Sequence, residues 1–319
     1  MAGLDITSKI KQKSYELGFS KVGIVAVCEL RKEGDCLQKW LQDGYHADMA
    51  YLERRVSERI DPKKWFSSAA SVICLAMNYY TPFKHSDVSG VAKISRYAWG
   101  DDYHDIITAR LNQLLDYIRM CDFGKVVDGK IFVDSSPVME REWAIRAGIG
   151  WRGKNGLVIT KECGSWCFLG GIMLNVPLDY DRPMKNQCGT CTRCMEACPT
   201  NAIEKPGVIN ATKCISYQTI ERKSAQDISE DVKPRLDGWI FGCDRCQDVC
   251  PFNAKYAVAT HDECFYPRRD LVAPDLMEFE RMTEDEFRDR FKKNPIKRAK
   301  YNGFMRNIKA ARGGVLHGK

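Results

Sequence analysis

Eight cysteines between residues 188 and 250 are spaced to hold iron. The first four, Cys188, Cys191, Cys194 and Cys198, read C-x2-C-x2-C-x3-C and are followed by Pro199. In that run three thiolates wrap one iron–sulfur cube and the fourth reaches a second. A later block, Cys243, Cys246 and Cys250 before Pro251, has only three cysteines, and Cys214 lies between the blocks to complete it. The expected sets are Cys188, Cys191 and Cys194 with Cys250, and Cys198 with Cys214, Cys243 and Cys246, each around a [4Fe-4S] cluster. Two zinc ribbons would also use C-x2-C pairs, but the rhythm with its reciprocal copy favours cubes. A disulfide framework belongs to small secreted chains, whereas this chain has 319 residues. Cys28, Cys36, Cys74, Cys121, Cys163, Cys167 and Cys264 read as plain buried thiols.

Clusters deliver single electrons and do little organic chemistry alone, so the roughly 180 residues ahead of the cysteines must hold a second redox centre or a substrate. That stretch mixes strands and helices. Apolar runs predict strands at 21–27, 71–79, 130–134, 157–160 and 166–174, and helical spacing predicts helices at 5–17, 37–44, 102–119 and 138–147. The turn-rich segment 81–89 belongs on the surface. The expected fold class is α+β: a mixed α/β domain over 1–180, a ferredoxin-like domain over 181–265, and a short helical, basic segment over 266–319. No apolar run reaches the length of a membrane span, and the N-terminus lacks a signal peptide's apolar core. A cytoplasmic protein without membrane contact is expected, and a monomer.

The net charge is +7. Residues 288–312 hold ten Lys and Arg against one acid, leaving 39 basic and 41 acidic residues elsewhere. With Phe291, Tyr301 and Phe304 interleaved, this block has what phosphate contact and base stacking require. A solvated helix face explains the charge equally well. Residues 148–153 match G-x-G-x-x-G but follow a helix rather than a strand, which argues against a dinucleotide site. Asp102-Tyr103-His104 opens like a D-x-H-x-x-G corrinoid motif, but Ile107 replaces the glycine, so a histidine ligand to cobalt is not expected.

Several segments taken in order, among them FVDSSPVMEREWAIRAGIGWRGKNGLVI (132–159), GSWCFLGGIML (164–174), CISYQTIE (214–221) and PIKRAKYNGFMRN (295–307), resemble the epoxyqueuosine reductase family. The resemblance implies base-off cobalamin in the first domain, two [4Fe-4S] clusters, and reduction of the epoxide of epoxyqueuosine to the alkene of queuosine at the tRNA wobble position. It implies an anticodon stem-loop as partner and an external electron donor. Asp134 is the expected proton donor, its pKa raised by desolvation at a strand end; the plainer role is a turn before a helix capped by Ser136 with Pro137 at its first position. Ser57, Tyr97, Asp134, Asn155, Val158, Leu169, Ser216 and Gln218 match the corrinoid-contacting parts. Arg141, Arg222, Lys223, Lys297 and Arg298 are the implied tRNA contacts. The family commonly continues into a helical-repeat extension where this chain ends in the Gly-rich, unstructured-looking AARGGVLHGK, so a short or cut form with weakened RNA affinity is expected. The competing readings are a reductive dehalogenase-like corrinoid enzyme acting on a small molecule and a non-catalytic ferredoxin-type carrier.

Overall fold

A four-stranded antiparallel sheet organises the first half of the computed structural model, which describes residues 5–315 apart from Arg269, with side chains to Arg312. The strands run Lys21–Ala26, Ser71–Asn78, Cys167–Leu174 and Gly129–Phe132 in spatial order. Ser71–Asn78 is buried along nearly its whole length because both faces are covered. Ile24, Ile73, Leu75 and Met77 pack against Ile10 and against Ile107, Leu111, Leu114 and Ile118 of the helix Tyr103–Arg119. Val72, Cys74 and Ala76 pack on the opposite face against Trp143 and Ala144 of the helix Glu140–Arg146. The result is a helix–sheet–helix sandwich, as a sheet hydrophobic on both faces requires.

Gly171 shows how closely these layers approach. A Cβ there would lie 2.3 Å from the carbonyl oxygen of Ile73 and 2.4 Å from the Phe132 ring. Gly150 is equally constrained, by the carbonyl of Ile159 at 2.1 Å. The G-x-G-x-x-G run therefore serves backbone packing, next to the short pairing of Trp151–Arg152 with Val158–Ile159.

The expected strands and helices lie where they were placed, with shifted ends. The helix expected from residue 37 starts at Arg31, and the one expected over 138–147 spans Glu140–Arg146. Its N-cap is Met139 without a side-chain cap bond, so Ser136 and Pro137 do not start a helix. They stay in the turn that follows Asp134.

A second core joins distant parts of the chain. Ala92, Ile94, Ala98 and Trp99 pack with Trp239, Ile240 and Phe241 and with Phe279, Phe291 and Phe304. Residues 92–99 thus leave the sheet domain and build the C-terminal core, and Lys93–Ile94 pairs in parallel with Trp239–Phe241. The last helix, Lys300–Val315, closes this core, so the expected unstructured tail is helical through residue 315 and only 316–319 lie outside the described residues. Among the described residues no helix is long and apolar enough to cross a membrane.

Candidate active site and cluster loops

The eight cysteines fall into two groups in space. Cys188, Cys191, Cys194 and Cys250 line one small cavity with Lys154, Asn155 and Phe252. Cys198, Cys214, Cys243 and Cys246 form the neighbouring group. Burial pushes the Cys243 and Cys246 thiols up, and the charge of nearby Cys214 adds to both, while Cys214 in turn feels Cys198. All fifteen cysteines are free thiols. Backbone N–H groups point at these sulfurs: Ala202 N lies 3.2 Å from Cys198 Sγ, Ser216 and Tyr217 face Cys214, and Phe252 and Asn253 face Cys250. Such N–H···S bonds stabilise thiolate charge and tune cluster potential, so the donor set fits two iron–sulfur cubes. Among the described residues no three His, Cys, Asp or Glu side chains close on a single ion.

A buried acid anchors the second group. Asp244, fully buried, accepts from Ser95 Oγ at 2.5 Å and from Arg96 N at 2.9 Å, and pairs with the Arg96 guanidinium. The loop carrying Cys243 and Cys246 is thereby bonded to residues 95–96. Tyr97 follows and covers it: a Cβ on Gly242 would sit 3.5 Å from the Tyr97 ring.

Tyr97 also senses the charge of Asp134, so the acid site lies near it. Asp134 lies past the end of its strand in the left-handed region, at φ 54°, a conformation costing a non-glycine residue about 1 kcal/mol or more. Two contacts hold it there. Its N–H donates to Glu140 Oε1 at 2.5 Å, and its Oδ2 lies 3.1 Å from His104 Nε2. His104 Nδ1 meets Asp102 Oδ1 at 2.8 Å, and Asp102 Oδ2 pairs with Lys297 Nζ at 2.7 Å.

These contacts distribute charge otherwise than the sequence suggests. The His104 hydrogen bond holds the Asp134 carboxyl below its ordinary range, against the effect of burial. The expected upward shift falls on Glu140 instead, where burial and the neighbouring Asp134 charge push the pKa up to about 8. Burial opposes a charge on His104, but hydrogen bonds to Asp102 and Asp134 outweigh it and lift it to about 9. Despite its own burial, Asp102 is held well below the carboxylate range by His104 and Lys297. The site therefore presents an ionised aspartate beside a protonated imidazole and a neutral glutamic acid. With both ring nitrogens engaged, His104 offers no lone pair to cobalt.

Cations surround this site. Arg141 and Arg298 act on Asp134, and Arg59 faces Glu140 and Tyr51 with its buried Nε lacking a hydrogen-bond partner. Arg141 also donates to the Gly156 carbonyl at 3.3 Å. It pairs with neither Glu140 nor Glu142; the partner of Glu142 is Arg152.

The other expected cofactor contacts divide. Val158 and Leu169 lie in the packing group of Phe132 and Trp143. Asn155 is buried and donates weakly to the Cys246 carbonyl at 3.4 Å, linking the two halves. Ser57 is exposed on the short helix Val56–Ile60, next to Arg59. Ser216 is half-buried one turn from Cys214. Gln218 is not available to a ligand: it is fully buried, donating to the Thr212 carbonyl and accepting from Ser229 N.

The basic block also differs from expectation. Phe291 and Phe304 are core residues, and Tyr301 is half-buried with its hydroxyl on the Met282 carbonyl, so none is a stacking platform for a base. Lys297 pairs with Asp102, Arg298 with Glu221, Arg290 with Asp270 and Glu278, and Arg312 with Glu280. Arg306 donates to the carbonyls of Gln218, Arg222, Lys223 and Gln226. It clips the loop that presents exposed Lys223, while Arg222 Nε bonds the Asp227 carbonyl at 2.5 Å.

Comparison with known proteins agrees with this architecture. The family model described as "Epoxyqueuosine reductase QueG, DUF1730" matches residues 59–135, and "4Fe-4S double cluster binding domain" matches 187–253. The epoxyqueuosine reductase of Cyclobacterium marinum is 43% identical over 303 residues, covering 95% of each chain. That of Escherichia coli is 38% identical over 313 residues, 97% of this chain and 81% of its own. The chain belongs to the epoxyqueuosine reductase family. It is accordingly an oxidoreductase of queuosine synthesis with a double-cluster domain. A crystal structure of an epoxyqueuosine reductase with an epoxyqueuosine-modified tRNA-Tyr stem loop superposes with a TM-score of 0.88 at 26% identity, covering 98% of this chain and 82% of that one. A Bacillus subtilis epoxyqueuosine reductase described with its catalytic aspartate loop swung out of the active site matches equally well.

His104, Glu140, Asp102 and Arg59 were missed as site residues by sequence reasoning. A signal existed for Asp102, an N-cap whose carboxylate accepts from His104 N at 3.1 Å; none links Glu140 or Arg59 to Asp134 along the chain.

Proposed function

We propose that this protein reduces epoxyqueuosine to queuosine at the wobble position of tRNA, with Asp134 delivering a proton to the departing oxygen. The observation that carries this reading is the placement of Asp134: a carboxylate in a strained turn, hydrogen-bonded to a protonated imidazole from which it can take the proton it delivers. An alkoxide leaves poorly at neutral pH, so the reaction needs that donor.

In this reading Cys188, Cys191, Cys194 and Cys250 hold one [4Fe-4S] cluster and Cys198, Cys214, Cys243 and Cys246 the other. With the second taken as the one nearer the acid site, electrons from an external donor would reach it through the first. Ser57, Tyr97, Asn155, Val158, Leu169 and Ser216 would hold cobalamin, which would supply the reducing equivalents to the epoxide carbon. The engaged nitrogens of His104 suit a corrin without a histidine lower ligand. Arg141 and Lys223 contact RNA phosphate, Arg298 joins them by exchanging its Glu221 partner, and Lys297 adds a contact while remaining on Asp102. The proposed division is a cobalamin-binding domain over 1–180, a cluster domain over 181–265 and a tRNA-contacting segment over 266–319, in the cytoplasm.

Nucleoside mass spectrometry of tRNA from a deletion strain tests the reading. Epoxyqueuosine should accumulate and complementation should restore queuosine. Unchanged queuosine in the deletion strain would refute it.

A further inference from the structure

Reduction of an epoxide to an alkene breaks two C–O bonds, forms one C=C bond, and consumes two electrons and two protons, the oxygen leaving as water. A single carboxyl group carries one proton. Asp134, ionised at rest, must therefore be loaded once before each cleavage. We propose that His104 is the loading group: its Nε2–H passes a proton along the hydrogen bond to Asp134, and Asp102 with Lys297 holds the imidazole in the orientation and charge state that allow this. The inference deepens the reading above and rests on it for the identity of the acceptor.

The geometry supports a directed relay. His104 sits in the first turn of the helix Tyr103–Arg119, and Asp102 is that helix's N-cap, so one short segment supplies both the carrier and its orienting carboxylate. Asp102 takes hydrogen bonds from the His104 backbone and ring through the same Oδ1, at 3.1 and 2.8 Å, and keeps Oδ2 for Lys297. Asp102 is nearly buried while Asp134 and Lys297 are about half or more exposed. The chain of contacts thus runs from the surface, through a buried carboxylate, to the acid that faces the substrate. Tyr103 stacks on the His104 ring with centroids 4.0 Å apart and on Phe168 at 4.2 Å, fixing the ring plane. The charged groups facing His104 are Asp102 and Asp134, with Glu140, Arg141 and Lys297 beyond them. The carboxylates in contact hold its proton at neutral pH, ionised Asp134 is ready to receive it, and the imidazole, 38% exposed, takes a replacement proton from solvent water before the second cleavage. His104 acts through Asp134 and is a positioning and proton-supplying residue.

The test has two arms. The first needs neither cobalamin nor turnover: the five histidines of the chain are followed by 15N NMR against pH in the cluster-containing protein, and the His104 signal is assigned with His104→Gln. His104 should titrate well above an ordinary imidazole and move down in both Asp102→Asn and Asp134→Asn. An ordinary titration, or one indifferent to both substitutions, would overturn the relay. The second arm follows single-turnover reduction of an epoxyqueuosine stem-loop against pH. His104→Gln should cut the rate by roughly 10² or more with clusters, cobalamin binding and stem-loop affinity retained, and added imidazole should restore part of the rate to His104→Ala. Wild-type rates in His104→Gln at every pH would likewise overturn it. If wild-type protein fails to reduce the stem-loop while His104 titrates as expected, the proposed substrate falls and the hydrogen-bonded relay stands.

Discussion

At the scale of single residues, the site is governed by how three acids divide their charge. Asp134→Asn should keep both clusters and cofactor affinity yet lose at least about 10²-fold in turnover, read by single-turnover kinetics against an unchanged iron content. Glu140→Gln keeps an acceptor for the Asp134 N–H and the neutral state that burial already imposes, so it should retain most activity. Glu140→Ala removes the acceptor that holds the strained turn and should lose most of it. The same groups set a pH dependence of stability. Glu140 ionises near 4.5 when unfolded but near 8 in the fold, so unfolding is favoured progressively as pH rises between those values. His104, raised from 6.5 to about 9, contributes stability fully present below 6.5 and lost as pH rises through 9. Thermal melts should therefore fall from pH 5 to pH 9, and Glu140→Gln should flatten the lower part of that decline; an unaltered slope in this variant would remove Glu140 as its source.

At the scale of elements, close approach and anchoring matter more than propensity. Gly171→Ala pushes a methyl group into the Ile73 carbonyl and the Phe132 ring, neither of which yields easily. A destabilisation of roughly 1–3 kcal/mol or more is expected in denaturant unfolding, with the Asp134 turn disturbed through Phe132. Arg306 holds four carbonyls of the loop 218–226. Arg306→Ala should expose that loop to limited proteolysis between residues 222 and 227 and weaken stem-loop binding, although Arg306 itself faces inward. The last helix is thus a fastener for the 218–226 segment, and much of the positive charge near the C-terminus does structural work.

At the scale of the whole molecule, two cores share one chain. Residues 92–99 leave the sheet domain, pack under Trp239 and Phe304, and return to the site through Tyr97 and His104. The acid site and the cluster loops are therefore fixed relative to each other by a common core and by the Arg96–Asp244 pair. Stripping the iron should raise amide hydrogen exchange across 187–253 while leaving the strand Ser71–Asn78 protected, since that strand's burial owes nothing to the cysteines. Stem-loop affinity should fall with added salt by counterion release. Because internal pairs already satisfy Arg290 and Arg312, the slope should be shallower than ten free cations would give, and Lys223→Ala should lower it by about one.

Local spacing in the sequence determined the cluster cysteines, the sheet strands and the long helices, because a ligand's chelation and an element's burial both follow from residues a few positions apart. It also marked Asp134, through family likeness rather than any physical signal. Only the tertiary structure decided what Asp134 is: two partners separated from it by 6 and 30 positions in the chain set its charge and backbone conformation, and neighbours at such distances leave no periodic trace. The same holds for the basic block, whose aromatics are core and whose arginines meet carboxylates far away in sequence. Composition counts charges, but folding decides which of them remain for a partner.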